Sequence, residues 1–166
     1  MNKTTITGII IAIVAFSLIV WMARPGPRNG NTASITAQPS GILSAEETSF
    51  DFGAISMASG KVSHSFKIKN KSPEPATIEK IYTSCMCTTA SLVTDGLRFG
   101  PYGMPGHGFI PKINKIIDLD EEAIIEVVFD PAAHGPAGIG PIQRLIAVEK
   151  NGGERLELSF SAMVTP

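Results

Sequence analysis

The chain has little of what most enzymes and nucleic-acid-binding proteins display. Its 166 residues contain no G-x-S-x-G, P-loop, H-E-x-x-H, dinucleotide-binding or C-x-x-C motif. From Ser44 onward it carries 11 basic and 15 acidic residues, a net charge of −4, whereas nucleic-acid binding calls for a basic face. We therefore expect neither a conventional enzyme nor a nucleic-acid partner.

Acidic residues are also absent from the N-terminal part, since all 15 lie at or beyond Glu46. There, the segment 6–23 is continuously apolar or uncharged and ends beside Trp21. As a helix, 18 residues span roughly 27 Å, close to the ~30 Å hydrocarbon core of a membrane. Residues 1–23 are therefore predicted to be an N-terminal transmembrane anchor. The alternative is a cleaved signal peptide, but the run is longer than the usual apolar region and lacks a small-x-small cleavage site.

Large apolar residues are few in segment 24–44, which contains three prolines and three glycines. This composition predicts a flexible linker, not a folding unit. Residues 45–166 then form the expected folded domain.

Helical periodicity is absent from the domain, where apolar residues alternate in short segments instead. The clearest segments are 50–55, 62–68, 77–85, 123–129, 142–149 and 156–164. The alternation breaks between Ile78 and Ile81, which predicts a bulge, and Asn151-Gly152-Gly153 predicts a hairpin turn. Six or seven short strands in about 120 residues predict an all-β fold, a β-sandwich.

Cysteine is scarce: Cys85 and Cys87, separated by Met86, are the only two. On an extended strand both sulfurs would leave the same face. Their Cα atoms would lie about 6.5–7 Å apart, at or beyond the limit for a disulfide, unless a bulge or turn brought them closer. Such a bridge would close a very short loop and stabilise little, and a strained one is easily reduced. A soft-metal site, a disulfide with or without redox function, and two buried thiols all remain open.

A Gly/Pro-rich connection, 95–112, adds a thioether and an imidazole through Met104 and His107. Together with two thiolates these groups suit Cu(I) best, and Zn(II) next. The leading hypothesis from the sequence is therefore a metal site formed by Cys85, Cys87, Met104 and His107.

Two other histidines are less suited to be ligands. His64 shares a predicted strand face with Phe66 and Ile68, so we expect a hydrogen-bonded core residue. His134, in D-P-A-A-H-G, is expected to lie in a turn.

Four segments in this order resemble a known bacterial family: F-D-F-G-A-I, H-S-F-K-I-K-N, I-E-K-I-Y-T-S-C-M-C-T-T and I-E-V-V-F-D-P-A-A-H-G. They are similar to the domain of unknown function numbered fifteen-seventy-three, over roughly residues 48–163. The resemblance implies an immunoglobulin-like antiparallel sandwich of about seven strands, usually exported, with a Cys-x-Cys-Thr signature. The chain departs from the family in having Met86 where a small residue is common, and in its long 95–112 connection.

The membrane orientation rests on opposing signals. Arg24 and Arg28 outnumber Lys3, which by the positive-inside rule favours a cytoplasmic C-terminal side. Large domains cross membranes largely regardless of such charges, and the family resemblance implies export. We expect a single-pass protein with its C-terminal domain on the extracytoplasmic side.

The expected function is that of a non-enzymatic binding module in the cell envelope, whose cysteine pair binds a soft metal such as copper. The alternatives are a structural or protein-interaction domain without metal, and a thiol–disulfide exchange protein. Its expected partners are the membrane and another envelope protein.

Overall fold

A computed structural model of the chain describes residues 42–166. The predicted anchor, 1–23, and most of the predicted linker, 24–44, lie outside these residues. Within residues 42–166, no helix has the length and apolar character needed to cross a membrane.

The described residues form ten strands and two short 3₁₀ turns, which confirms the all-β prediction. The strands are β1 (Leu43–Ala45), β2 (Ser49–Ser56), β3 (Val62–Asn70), β4 (Ala76–Thr83), β5 (Thr88–Thr94), β6 (Leu97–Tyr102), β7 (Lys115–Ile117), β8 (Glu122–Phe129), β9 (Gly140–Lys150) and β10 (Arg155–Thr165).

The strands form two five-stranded sheets, ordered β1-β3-β8-β5-β6 and β2-β10-β9-β4-β7. All strand pairs are antiparallel except β2 with β10, which run parallel. The expectation of an antiparallel sandwich of about seven strands is therefore corrected in two respects, because residues 42–166 form ten strands and one of the eight strand pairs is parallel.

Four strands were not visible in the alternating pattern. β1 and β7 have only three residues each, too few to show alternation. β5 has three consecutive buried residues, Ala90, Ser91 and Leu92, and several of its buried residues are polar, so its sequence shows no apolar alternation. β6 contains Gly100 and Pro101 and lies at a sheet edge, where strands tolerate such residues.

The long 95–112 connection consists of a two-residue turn, then β6, and then a loop that begins at residue 103. Asp95 and Gly96 both have positive φ, 52° and 72°, and Thr94 pairs directly with Leu97. This is the two-residue turn that matches the twist of antiparallel strands. The chain then returns through residues 103–114 to β7.

Two local predictions are confirmed. The register of β4 shifts between Ile78 and Lys80, as expected for a bulge. Asn151-Gly152-Gly153 connects β9 to β10, with φ of 86° and 82° at the two glycines.

The core lies between the two sheets and consists of aliphatic and aromatic side chains. Phe66 and Ile125 come from one sheet, and Ile146, Leu158 and Phe160 from the other; all are at most 1% exposed. Complete burial of such a side chain stabilises the fold by about 1.5–3 kcal/mol. Cys85 and Cys87 also belong to this core, and they lie where β4 of one sheet connects to β5 of the other.

Candidate functional site

The Cys-x-Cys segment is a turn between the two sheets, not part of a strand. β4 ends at Thr83, whose single hydroxyl proton is shared between the carbonyl oxygens of Cys85 and Thr88, at oxygen–oxygen distances of 3.0 and 2.9 Å. The backbone N–H of Thr88 also donates to the Cys85 carbonyl, at 3.1 Å. Of the two conformations left open, the segment is therefore bent and not extended, because the Thr83 hydroxyl and the Thr88 N–H close a turn that contains both cysteines.

The two cysteines form a disulfide across this turn. Their Cα atoms are 5.3 Å apart, inside the normal range for a bridge, so the flat-strand distance of about 6.5–7 Å does not apply. Cys85 is 8% exposed and Cys87 3%, whereas Met86 between them is 52% exposed. The turn thus presents Met86 to the outside and holds the two sulfurs at the end of the core.

His134 lies against the first sulfur, with its Nε2 atom 3.1 Å from Cys85 Sγ. The histidine is in the turn after β8, as expected, and precedes the 3₁₀ turn Gly135–Gly138. Gly138 permits this packing, since a Cβ there would lie 3.1 Å from the His134 Cβ. The predicted turn position of His134 is confirmed. Its contact with the Cys85 sulfur could not be predicted from the sequence, where His134 stands out only as part of the F-D-P-A-A-H-G segment.

Arg144 lies against the second sulfur, and its Nε donates to Cys87 Sγ at 3.2 Å. The arginine is on β9, directly opposite the buried Phe160 on β10. Paired residues on antiparallel strands share a face, so Arg144 points to the interior side at the end of the sandwich. The contact of Arg144 with the Cys87 sulfur could not be predicted from the sequence, because a single arginine in an alternating strand does not indicate which residues it meets.

The turn is also tied to its surroundings by backbone hydrogen bonds. The N–H of Asp130 donates to the Cys87 carbonyl at 2.9 Å, and the N–H of Ser84 donates to the Leu145 carbonyl at 3.0 Å. Ser84 Oγ in turn accepts from the Leu145 N–H at 2.9 Å. These bonds hold the turn against β8 and β9, and none of them involves a sulfur atom.

The predicted ligands Met104 and His107 lie together in another turn, where the N–H of His107 donates to the Met104 carbonyl at 3.2 Å. Both line a cleft of about 450 Å³, together with Met86 and Phe109. Among residues 42–166, the histidine that joins the cysteines in a potential ligand cluster is His134, and its ring nitrogen and the two sulfurs lie within 4.8 Å of one another. The roles given to Met104 and His107 stay predictions.

His64 lies apart from the sulfurs, in an aromatic group at the β2–β3 side of the sandwich. Its ring stacks on Phe50 with 3.7 Å between centroids, and its Nε2 lies 2.6 Å from a Glu47 carboxylate oxygen. These contacts fit the expected structural, hydrogen-bonded histidine.

The family resemblance is confirmed over part of the domain. Residues 43–103 match the family model described as a protein of unknown function (DUF1573). This span includes the disulfide turn but ends before His134 and Arg144. No curated protein sequence matches the chain.

Several solved structures share the fold. A protein of unknown function from Porphyromonas gingivalis W83 is 17% identical, with a TM-score of 0.56, over 80% of this chain and 51% of that one. A family 123 glycoside hydrolase from Clostridium perfringens is 8% identical, with a TM-score of 0.50, over 76% of this chain and 27% of that one. The chain thus spans about half of the first protein and about a quarter of the second. At these identities, the likeness concerns the fold alone.

A third structure is the ASH/PapD-like domain of human CEP192, PapD-like domain 7. It is 13% identical, with a TM-score of 0.45, over 76% of this chain and 87% of that one.

Proposed function

We propose that this immunoglobulin-like domain, with its match to the DUF1573 family, is a thiol–disulfide exchange module of the cell envelope. In this proposal, residues 1–23 anchor the chain in a membrane and the domain acts on the extracytoplasmic side. The observation that carries the proposal is the Cys85–Cys87 disulfide with His134 on one sulfur and Arg144 on the other. The compartment fits, because disulfides persist outside the reducing cytoplasm.

A purely structural role explains the disulfide less well. The cysteines are only two positions apart, so the bond removes little chain entropy from the unfolded state. The turn is already held by the Thr83 hydroxyl and by the N–H groups of Thr88 and Asp130. A bond that adds little stability, placed beside two polar side chains, is better suited to chemistry than to cross-linking.

The surroundings of the two sulfurs give the exchange a direction. Cys85 is the more exposed of the two, so an incoming thiolate attacks Cys85 Sγ and forms a mixed disulfide there. The S–S bond breaks and its electron pair moves to Cys87 Sγ. In the disulfide form, Cys87 Sγ accepts a hydrogen bond from the Arg144 guanidinium, and a positively charged neighbour favours the thiolate that results. A better leaving thiolate speeds exchange at the other sulfur.

The reaction is completed by a second thiol of the same partner. This thiol, as a thiolate, attacks the partner's own sulfur in the mixed disulfide and releases Cys85, which lies beside His134 Nε2. The partner dithiol is thereby oxidised to a disulfide, and the Cys85–Cys87 pair is reduced to two thiols that take up the partner's two protons. The proposed module carries one disulfide to or from an envelope protein and is not an enzyme for a small substrate.

The test is the equilibrium of the full chain, in mild detergent, with glutathione and dithiothreitol redox buffers. Thiols are trapped by alkylation and counted by mass spectrometry. We expect a midpoint more oxidising than about −300 mV, below which structural disulfides typically lie. A pair that stays oxidised at more reducing potentials would refute exchange with envelope thiols. The direction of attack is tested by brief reaction of the oxidised chain with a monothiol, followed by acid quenching and peptide mass spectrometry. The mixed disulfide should be found at Cys85 and the free thiol at Cys87.

A protein-interaction domain without thiol chemistry is the second candidate. Met86 and Phe109 are 52% and 88% exposed and line the same cleft beside the disulfide. Exposed apolar groups of this kind favour contact with another protein. If a Cys85→Ser/Cys87→Ser variant retained all partner binding and Phe109→Ser lost it, this candidate would replace exchange.

A further inference from the structure

The side chains around the disulfide also form an incomplete set of soft-metal ligands. The sulfurs of Cys85 and Cys87 and one ring nitrogen of His134 lie within 4.8 Å of one another. We propose that the reduced pair, with His134, binds one Cu(I) ion, and that the disulfide closes this site. The inference rests on the proposed function, because the sulfurs become ligands only when the bond between them is reduced.

The distances allow such a site with small movements. In a trigonal site with metal–ligand bonds of about 2.0–2.3 Å, the ligand atoms are about 3.5–4 Å apart. Cys85 Sγ and His134 Nε2 are now 3.1 Å apart. Reduction removes the bond that holds the two sulfurs together, while the Thr83 and Asp130 hydrogen bonds keep the turn in place. Side-chain rotations are then sufficient to open the three ligand atoms around one ion.

The number and type of ligands favour a soft monovalent ion. Among the described residues, the cluster has two sulfurs and one nitrogen, and no carboxylate belongs to it. Thiolate and imidazole ligands suit Cu(I), whereas a structural Zn(II) site almost always has four protein ligands. Calcium and magnesium prefer oxygen ligands.

The positive charge of Arg144 also favours Cu(I) over Zn(II) at this site. Two thiolates, a neutral imidazole and Cu(I) have a net charge of −1, while the same ligands with Zn(II) are neutral. The Arg144 guanidinium donates to Cys87 Sγ at 3.2 Å, so a net negative complex lies next to a positive charge. Arg144 is therefore expected to increase the affinity for Cu(I) more than for Zn(II).

The site is controlled by a two-electron step. A dithiol reductant supplies two electrons and two protons, which convert the disulfide to two thiols, and is itself oxidised to a disulfide. Cu(I) then displaces the two thiol protons to solvent as the thiolates bind it. Because Cu(I) binds only the reduced form, copper makes the pair harder to oxidise, as linkage requires.

The test uses the full chain in mild detergent under anaerobic conditions, with Cu(I) buffered by bathocuproine disulfonate. We expect one Cu(I) per reduced chain by native mass spectrometry, and none per oxidised chain or per Cys85→Ser/Cys87→Ser variant. His134→Ala should weaken binding by at least about tenfold and more than His107→Ala does, while the matched control His64→Ala, whose ring lies apart from the sulfurs, leaves it unchanged. X-ray absorption should show two sulfurs and one nitrogen around copper.

A further variant tests the charge argument. Arg144→Gln should weaken Cu(I) binding by about tenfold with little effect on Zn(II), and Arg144→Lys should restore part of the loss. Copper bound by the oxidised chain, or binding that His107→Ala weakens and His134→Ala does not, would overturn the assignment. A pair that glutathione reduces but that binds no copper refutes the copper site and leaves exchange intact. A pair that resists glutathione but binds copper after strong reduction refutes exchange and leaves the copper site.

Discussion

Reduction of the Cys85–Cys87 disulfide should leave the domain folded and cost little stability. The cysteines are two positions apart, so the bond closes a loop of three residues. The chain-entropy relation gives about 1.6 kcal/mol for such a loop, against about 3 kcal/mol for a loop of 15 residues. The typical stability of a domain is about 5–15 kcal/mol. We therefore expect reduction to lower the free energy of unfolding by less than about 2 kcal/mol.

The structure gives physical grounds for the small value. The carbonyl of Cys85 accepts hydrogen bonds from the Thr83 hydroxyl and the Thr88 N–H, and that of Cys87 accepts one from the Asp130 N–H. None of these bonds involves a sulfur atom. The turn and its attachment to β8 should therefore persist in the reduced protein.

The measurement is urea denaturation of the full chain followed by far-ultraviolet circular dichroism, with and without a strong reductant. A Cys85→Ala/Cys87→Ala variant should match the reduced protein. Phe160→Ala is the control for a core-dependent loss, because its ring is 1% exposed and lies 5.3 and 5.2 Å from the rings of Phe52 and Phe129. That variant should lose about 3–5 kcal/mol. If reduction abolished cooperative unfolding, or cost as much as Phe160→Ala, the disulfide would be structural and the reasoning would fail.

Three further predictions concern the surroundings of the site. Arg144→Gln should slow exchange at Cys85 by about tenfold, measured by thiol trapping, while Arg144→Lys retains most of the rate; equal rates would exclude a role for the charge. Thr83→Val removes both hydroxyl hydrogen bonds of the turn and should lower the free energy of unfolding by about 1–3 kcal/mol, with Thr83→Ser as the control that retains them. The hydrogen bond from Asp95 raises the pKa of Lys115, so its small contribution to stability is present below the usual lysine pKa and is lost as pH rises through the raised pKa. Asp95→Asn should abolish that alkaline loss in urea titrations, and an unchanged pH profile would contradict this account.

The strands that could be recognised in the sequence are those with one buried and one solvated face. The alternation in β10 is the clearest example, since Leu158, Phe160, Ala162 and Val164 are all buried there. β5 could not be recognised in this way, because Ala90, Ser91 and Leu92 are buried in succession and its other buried residues include threonines, so apolar and polar residues do not alternate. The two-residue turn at Asp95-Gly96 is a strong local signal, but the glycine and proline in β6 concealed the strand that follows it.

Part of the candidate site could likewise be recognised in the sequence, and part of it could not. The adjacent cysteines were evident from composition, and the restricted reach of two thiols separated by one residue limited them to a few kinds of chemistry. The conformation of the two cysteines depends on Thr83, whose hydroxyl closes a turn. The alternating pattern predicts that the strand continues to Cys85.

The sequence by itself determined an all-β domain, its hairpin at Asn151-Gly152-Gly153 and a closely spaced pair of cysteines, because each depends on residues that are close together along the chain. Only the tertiary structure decided which side chains meet the sulfurs. His134 and Arg144 are 49 and 57 positions from their cysteines and reach them through the turn after β8 and through β9. Contacts over such separations depend on how strands are ordered in the two sheets, and that order is decided by packing of the whole core.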